Sequence, residues 1–232
     1  MTTGLITALK PRIHGISLGV FAADLGALRL AAHEAAGWGC GVLHFDVMDG
    51  VFVPQTIGGP GFVKALNIGA VRDVHLMIDH PERHVASYVD AGADAITVHA
   101  EAPGAAQAIT TIRAAADKAG RPVLAGLGLM PGTGLDDVSD LLAMVPDMIL
   151  VMSLDPRNAA APDIPAACAR ISHLRDRFGP DGPVLAFDGG VTLASIPEIA
   201  ACKPDLIVSG SAVFKADTPE HAFRTMADAM TD

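Results

Sequence analysis

The most constraining feature of this chain is a repeat of type, not of sequence. Short β-rich apolar runs alternate with Ala-rich helical stretches, about 25–30 residues from one run to the next. Eight candidate strands emerge: Ile16–Phe21, Gly41–Asp46, Val71–Met77, Ala95–His99, Pro122–Leu127, Met148–Met152, Pro183–Phe187 and Asp205–Ser209. Helical periodicity fills the intervals, as in Leu28–Ala36, Glu82–Ala91 and Ala105–Ala119, with glycine stops at Gly37, Gly92 and Gly120. Such alternation demands parallel strands joined by right-handed crossovers. Eight units in 232 residues match a (β/α)8 barrel, a TIM barrel, read as a single domain over 1–232. A doubly wound open sheet is the alternative, but the first strand lacks its Gly-x-Gly-x-x-Gly turn.

Composition narrows the chemistry. Half of the residues are hydrophobic and only 4% aromatic, so the core must be aliphatic. The formal charge of −10 carries no basic face for nucleic acid. No apolar run is long enough for a membrane span, and no leader pattern opens the chain, so a cytoplasmic protein is expected. Cys40, Cys168 and Cys202 show no paired spacing and read as free buried thiols in a reducing compartment.

In a barrel of this kind, chemistry collects at the C-terminal ends of the strands. The second strand carries His44 and Asp46, two residues apart and therefore on one face. The third carries His75, and the seventh runs into Asp188-Gly189-Gly190. Two imidazoles and two carboxylates on one rim suit a divalent metal: Zn²⁺, or Mn²⁺, Fe²⁺ or Co²⁺. Gly189, Gly190, Gly210 and Ser211, after strands seven and eight, read either as the usual phosphate position of such barrels or as two ordinary glycine turns. Met48, Met77 and Met152 fall at or just past strand ends, where they read either as packing filler or as a water-poor floor beside the metal. His99 and Glu101 read either as groups behind the site or as surface residues.

These residues resemble a known family. His-Phe-Asp-Val-Met-Asp-Gly-x-Phe-Val-Pro at 44–54 is similar to the signature of ribulose-phosphate 3-epimerases. So are Val-His-Leu-Met at 74–77, Val-Met-Ser at 151–153, Asp-Gly-Gly-Val at 188–191 and Gly-Ser-Ala-Val-Phe at 210–214. The resemblance implies a barrel of the ribulose-phosphate-binding type that interconverts D-ribulose 5-phosphate and D-xylulose 5-phosphate. It implies a divalent ion, usually zinc, on His44, Asp46, His75 and Asp188, with the two aspartates as acid/base pair. The implied intermediate is a cis-enediolate whose oxygens bind the metal, lined by Met48, Met77 and Met152. Homo-oligomers are common in that family, so one is expected here.

The chain departs from the family pattern in four places. Gly19 stands where a serine is expected on the first strand, with Ser17 two residues away on the same face. His-Pro-Glu has become His99-Ala100-Glu101, and the motif after the fifth strand has become Met130-Pro131-Gly132-Thr133-Gly134. The Gly-rich loop after the sixth strand is replaced by Asp155-Pro156-Arg157-Asn158-Ala159-Ala160-Ala161-Pro162. Arg157 there is either an anion contact or a solvated charge. The metal and acid/base set is complete while the recognition shell is altered, which suits the same reaction type on the family's substrate or on another ketose phosphate. The competing readings are a lyase or decarboxylase on a related phosphate-binding barrel, and a non-catalytic paralogue. The first lacks its Asp-x-Lys-x-x-Asp pattern, because Asp46-Val47-Met48-Asp49 has no lysine. The second would be favoured by a missing ligand, and none is missing.

Overall fold

The computed structural model describes residues 8–158 and 160–231. Eight parallel strands form the barrel: β1 (Gly15–Gly19), β2 (Val42–Asp49), β3 (Val71–Met77), β4 (Ala95–His99), β5 (Leu124–Leu129), β6 (Met148–Met152), β7 (Val184–Asp188) and β8 (Leu206–Ser209). Each pairs with the next, and β1 pairs with both β2 and β8. The sheet is therefore closed, which excludes the open doubly wound alternative. Around it lie α1 (Leu28–Gly37), α2 (Pro60–Ala65), α3 (Val85–Ala91), α4 (Ala105–Ala119), α5 (Ser139–Ala143), α6 (Ile164–Phe178), α7 (Ile196–Ala201), α8 (Ser211–Phe214) and α9 (Pro219–Asp228).

Alternation along each strand separates two cores. Outward residues such as Leu43, Phe45, Leu76, Ile96, Leu127, Ile149 and Phe187 pack with helix residues including Ala32, Ile109, Ile112, Ile171 and Leu174. Inward residues Val42, Val71, Ala95, Leu124, Met148, Leu150, Val184, Leu206 and Val208 fill the barrel, with Leu9 and Ile13 closing its lower end. Following the strand registers round from Ser17 returns the path to β1 about eight residues earlier, the stagger of this barrel type. That stagger sets inward side chains in levels drawn from alternate strands. Ser17, Asp73, Gly126 and Ala186 share one level. His44, Thr97, Leu150 and Val208 form the next, and above them come Gly19, His75, Gly128 and Asp188. The inside of the barrel thus turns from apolar to polar as it rises toward the mouth.

Several boundaries differ from the sequence expectation, each for a physical reason. The first strand stops at Gly19, and Val20–Ala22 wind into a 3₁₀ turn. The second continues to Asp49 because a two-residue strand, Thr56–Ile57, pairs antiparallel with Met48 and Asp49. The fifth begins at Leu124 and runs through Gly126 and Gly128, glycines that usually argue against a strand. They are needed here because Thr97 Oγ1 lies against the Cβ position of Gly126, and the His99 ring lies 3.2–3.3 Å from that of Gly128. The expected stop at Gly37 is also shifted: that residue closes α1, and the left-handed turn falls on Gly39 (φ +100°).

The cysteine expectation is corrected. Cys40 is a free buried thiol, but Cys168 and Cys202 are joined in a disulfide, their Cα atoms 5.4 Å apart. One lies in α6 and the other caps α7, so the crossover topology brings together residues that sequence spacing keeps apart. No helix among the described residues is long and apolar enough to cross a membrane.

Candidate metal and sugar-phosphate site

At the top of the barrel, His44 and Asp46 project inward from β2, His75 from β3 and Asp188 from the end of β7. One ligand atom from each of the four lies within 4.8 Å of the others. Asp46 Oδ1 is 3.2 Å from His44 Nε2 and 3.3 Å from His75 Nδ1. Asp188 Oδ2 is 3.5 Å from His75 Nδ1 and 3.9 Å from His44 Nε2. Both imidazoles are fully buried, while Asp46 and Asp188 keep partial access to the mouth.

The rear nitrogens explain why the front ones converge. His44 Nδ1 lies 2.7 Å from Asp73 Oδ2, and Asp73 is itself fully buried one level below. His75 Nε2 lies 2.8 Å from His99 Nε2, and His99 Nδ1 lies 3.1 Å from Glu101 Oε2. Carboxylates behind ligating histidines fix the ring orientation and the tautomer. The four-residue group therefore fits a divalent ion on its donor chemistry: two nitrogens and two carboxylate oxygens, turned to one centre and held from behind.

The same geometry sets the protonation. Burial disfavours a charged His44, but the carboxylates of Asp46 and Asp73 hold its pKa well above the ordinary value. His75 is likewise raised against burial, by its bonds to Asp188 and Asp46. Asp46 is depressed far below the usual carboxylate range, since His44 and His75 outweigh its burial. Glu101 is opposed by burial but brought down to about 2 by His99, Thr133 and the Met130 amide. In the metal-free protein the histidines thus hold protons against the acids that an ion must displace, so loading is favoured as pH rises.

The other expected site residues fall around this centre. Met48, Met77 and Met152 share the inward faces of their strands, Met77 and Met152 buried and Met48 half-buried. Met130 joins them from just beyond β5, a position without a role in the sequence reading. Gly189 and Gly190 have φ of +98° and +64°, which only glycine adopts readily. The Pro162 ring packs directly on the Cβ position of Gly190, and Ser153 Oγ donates to the Gly189 carbonyl at 2.8 Å. Gly210 precedes α8, which begins at Ser211, and a Cβ there would lie 3.1 Å from Gly19 O. Gly19 faces Asp46: its Cβ position is 3.6 Å from Asp46 Oδ2. Ser17 does not take over that place, because it sits lower in the barrel, fully buried. Arg157 is held against Asp155 (Nε–Oδ1 2.9 Å, Nη2–Oδ2 2.8 Å) with its guanidinium 5.7 Å from the Phe52 ring centre. It is an exposed charge that is ion-paired and lies against Phe52. Asp73, Thr133 and Arg170 were missed, because inward polar positions below a site and loop-to-helix clamps leave no local sequence signal.

Fold and centre together define a class: a (β/α)8 barrel with a two-histidine, two-aspartate centre and glycine turns after β7 and β8. Comparison with known proteins refines it. The profile of the ribulose-phosphate 3 epimerase family matches residues 15–214, and the chain belongs to that family. It is 38% identical over 212 residues to the ribulose-phosphate 3-epimerase of Mycobacterium tuberculosis, covering 89% of each chain. It is 34% identical over 227 residues to that of Rhodobacter capsulatus, covering 95% of this chain and 92% of the other. The chloroplastic enzyme of Arabidopsis thaliana is 36% identical over 207 residues, 87% of this chain and 72% of the relative. Among solved structures, 3-hexulose-6-phosphate synthase from Salmonella typhimurium superimposes with a TM-score of 0.71 at 19% identity, covering 94% of this chain and 98% of that one. KGPDC from Streptococcus mutans gives 0.68 at 14% identity, covering 94% and 98%. At such identities these two likenesses concern the fold.

Proposed function

We propose that this protein is a divalent-metal-dependent 3-epimerase of a ketose phosphate, interconverting D-ribulose 5-phosphate and D-xylulose 5-phosphate or a related pair. The observation that carries it is the convergence of His44 Nε2, Asp46 Oδ1, His75 Nδ1 and Asp188 Oδ2 at the mouth of a family barrel. A bound divalent ion, zinc by our choice over Mn²⁺, Fe²⁺ or Co²⁺, supplies positive charge where negative charge develops on the substrate oxygens. The chain's own residues do the rest. A proton next to a ketone must leave one face of the carbon and return on the other. Asp46 and Asp188 come from β2 and β7, strands that are not neighbours, so they can flank a substrate between them. Oδ1 of Asp46 is turned to the histidines, while Oδ2 is on the side of Gly19. We assign proton transfer to Oδ2. Met48, Met77 and Met152 exclude water around the reacting carbon. Backbone N–H groups at Gly189, Gly190, Gly210 and Ser211 receive the phosphate.

The lyase and decarboxylase reading finds fold neighbours but no chemistry, since no lysine stands between Asp46 and Asp49. One domain spanning the chain, a homo-oligomeric state and a cytoplasmic location belong to this proposal. The Cys168–Cys202 disulfide removes the thiol argument for a reducing compartment, so cell fractionation decides location and light scattering the subunit count.

The test is turnover of D-ribulose 5-phosphate by the metal-loaded protein, beside the Asp188→Asn variant. We expect epimerisation by the wild type, its loss with a chelator, and a fall of about 10²-fold or more in the variant. Wild-type turnover by Asp188→Asn removes that residue from proton transfer, and no epimerisation by the loaded wild type across a panel of ketose phosphates removes the activity.

A further inference from the structure

Behind His75 runs a continuous chain of contacts that ends on an outer helix. His75 Nε2 meets His99 Nε2 at 2.8 Å, and His99 Nδ1 meets Glu101 Oε2 at 3.1 Å. Glu101 Oε1 accepts from the Met130 amide at 2.9 Å and from the Thr133 hydroxyl. The carbonyls of Met130, Pro131 and Thr133 then accept from the Arg170 guanidinium of α6, at 2.7, 2.9 and 2.7 Å. The His99 ring lies against the backbone at Gly128 and 5.2 Å from the Phe52 ring centre.

Hydrogen counting makes the chain directional. Two facing Nε2 atoms share one proton. If His75 Nδ1 gives its lone pair to an ion, its Nε2–H must donate to His99. His99 then has its single proton on Nδ1, donated to Glu101. Glu101 in turn accepts from the loop, which presents two donors only while its backbone keeps this conformation. The guanidinium holds three carbonyls of one turn from two nitrogens of one rigid plane, whereas an ammonium's three donors radiate from a single point on a flexible stem.

We propose that Arg170 is a positioning residue for the metal centre. By clamping the 130–133 loop it orients Glu101, which fixes the His99 tautomer, which aims His75 Nδ1 at Asp46 and Asp188. This rests on the metal reading given above, and the experiment separates the two. Apo protein is titrated with Co²⁺ against a chelating dye, with absorption of the bound ion recorded, for the wild type, Glu101→Gln, Arg170→Met, Arg170→Lys and the distant surface variant Arg224→Met. In parallel, long-range ¹⁵N–¹H spectra of metal-free protein read the imidazole tautomers. We expect Glu101→Gln to lose about 10–100-fold in Co²⁺ affinity. Arg170→Met should lose affinity in the same direction by a smaller factor, with a changed absorption band, Arg170→Lys should recover part of it, and Arg224→Met should match the wild type. We also expect His99 as the Nδ1–H form in the wild type. Folded Glu101→Gln and Arg170 variants with wild-type affinity and spectrum overturn the proposal, as does His99 protonated on Nε2. If the wild type takes up no Co²⁺, the metal reading fails, and the tautomers still decide the chain: Nδ1–H lost on Glu101→Gln and on Arg170→Met supports it, and Nδ1–H retained in either overturns it.

Discussion

Asp49 works at the edge of the site and shows how one carboxylate can shape a mouth. Its Oδ1 accepts from the amides of Val51 and Phe52 at 2.8 and 2.9 Å, and its Oδ2 accepts from the Asp79 amide at 2.7 Å. It thereby ties the loop after β2 to the loop after β3 and sets Phe52 over His99. Burial opposes the charge slightly, but the three amides hold the Asp49 pKa below its ordinary value. A depressed carboxylate stabilises the fold above its unfolded-state pKa, near 4, and the contribution is lost as pH falls through the folded value. Asp49→Asn keeps one acceptor and turns a donor toward the Asp79 amide. It should cost about 1–2 kcal/mol at pH 7, with the gap to wild type closing as the pH of urea melts is lowered through 4. A gap independent of pH contradicts this account. Residues of this scale were partly legible beforehand. His44 and Asp46 announce themselves by two-residue spacing, and His75 and Asp188 by their place at strand ends. Asp73 is as close to His44 as any ligand, yet reads in sequence as an acid inside a strand. Only the barrel stagger reveals that it lies one level below.

Among elements, the segment after β6 departs furthest from the family pattern, and the structure gives it two anchors. Arg157, paired with Asp155, lies over Phe52 at one end, and Pro162 lies on Gly190 at the other. Gly190 therefore answers to two demands, a positive φ and a proline ring against its Cα. Gly190→Ala should introduce backbone strain of roughly 1–2 kcal/mol and also displace Pro162, raising KM for a sugar phosphate several-fold more than it lowers kcat. Gly179→Ala is the control: its φ is +71° with nothing within 4 Å of the Cβ position, so stability should fall while KM holds. Equal effects on KM in both variants would contradict the assignment of Gly190 to substrate binding. The sequence announced this segment as different but not how it is held, because cation–ring and proline–glycine packing depend on loops that meet only in the fold. Strand limits failed for a related reason: Gly126 and Gly128 look like breaks until Thr97 and His99 are seen to occupy the space they leave.

At the scale of the whole molecule, the alternation of strand and helix made the closed barrel legible, because eight parallel strands with right-handed crossovers have few other ways to cover both faces. The Cys168–Cys202 pairing was not legible, since it depends on α6 and the end of α7 packing side by side. Closure also brings acids from β2 and β7, strands that are not neighbours, to one mouth, and we propose that these two acids invert a carbon by passing protons through solvent-exchangeable sites. The direct measurement is conversion of D-ribulose 5-phosphate by the metal-loaded protein in D₂O, with the C3 position of the product read by NMR. Two-base transfer predicts D-xylulose 5-phosphate carrying deuterium at C3. Product that retains its original hydrogen at C3 would contradict the account.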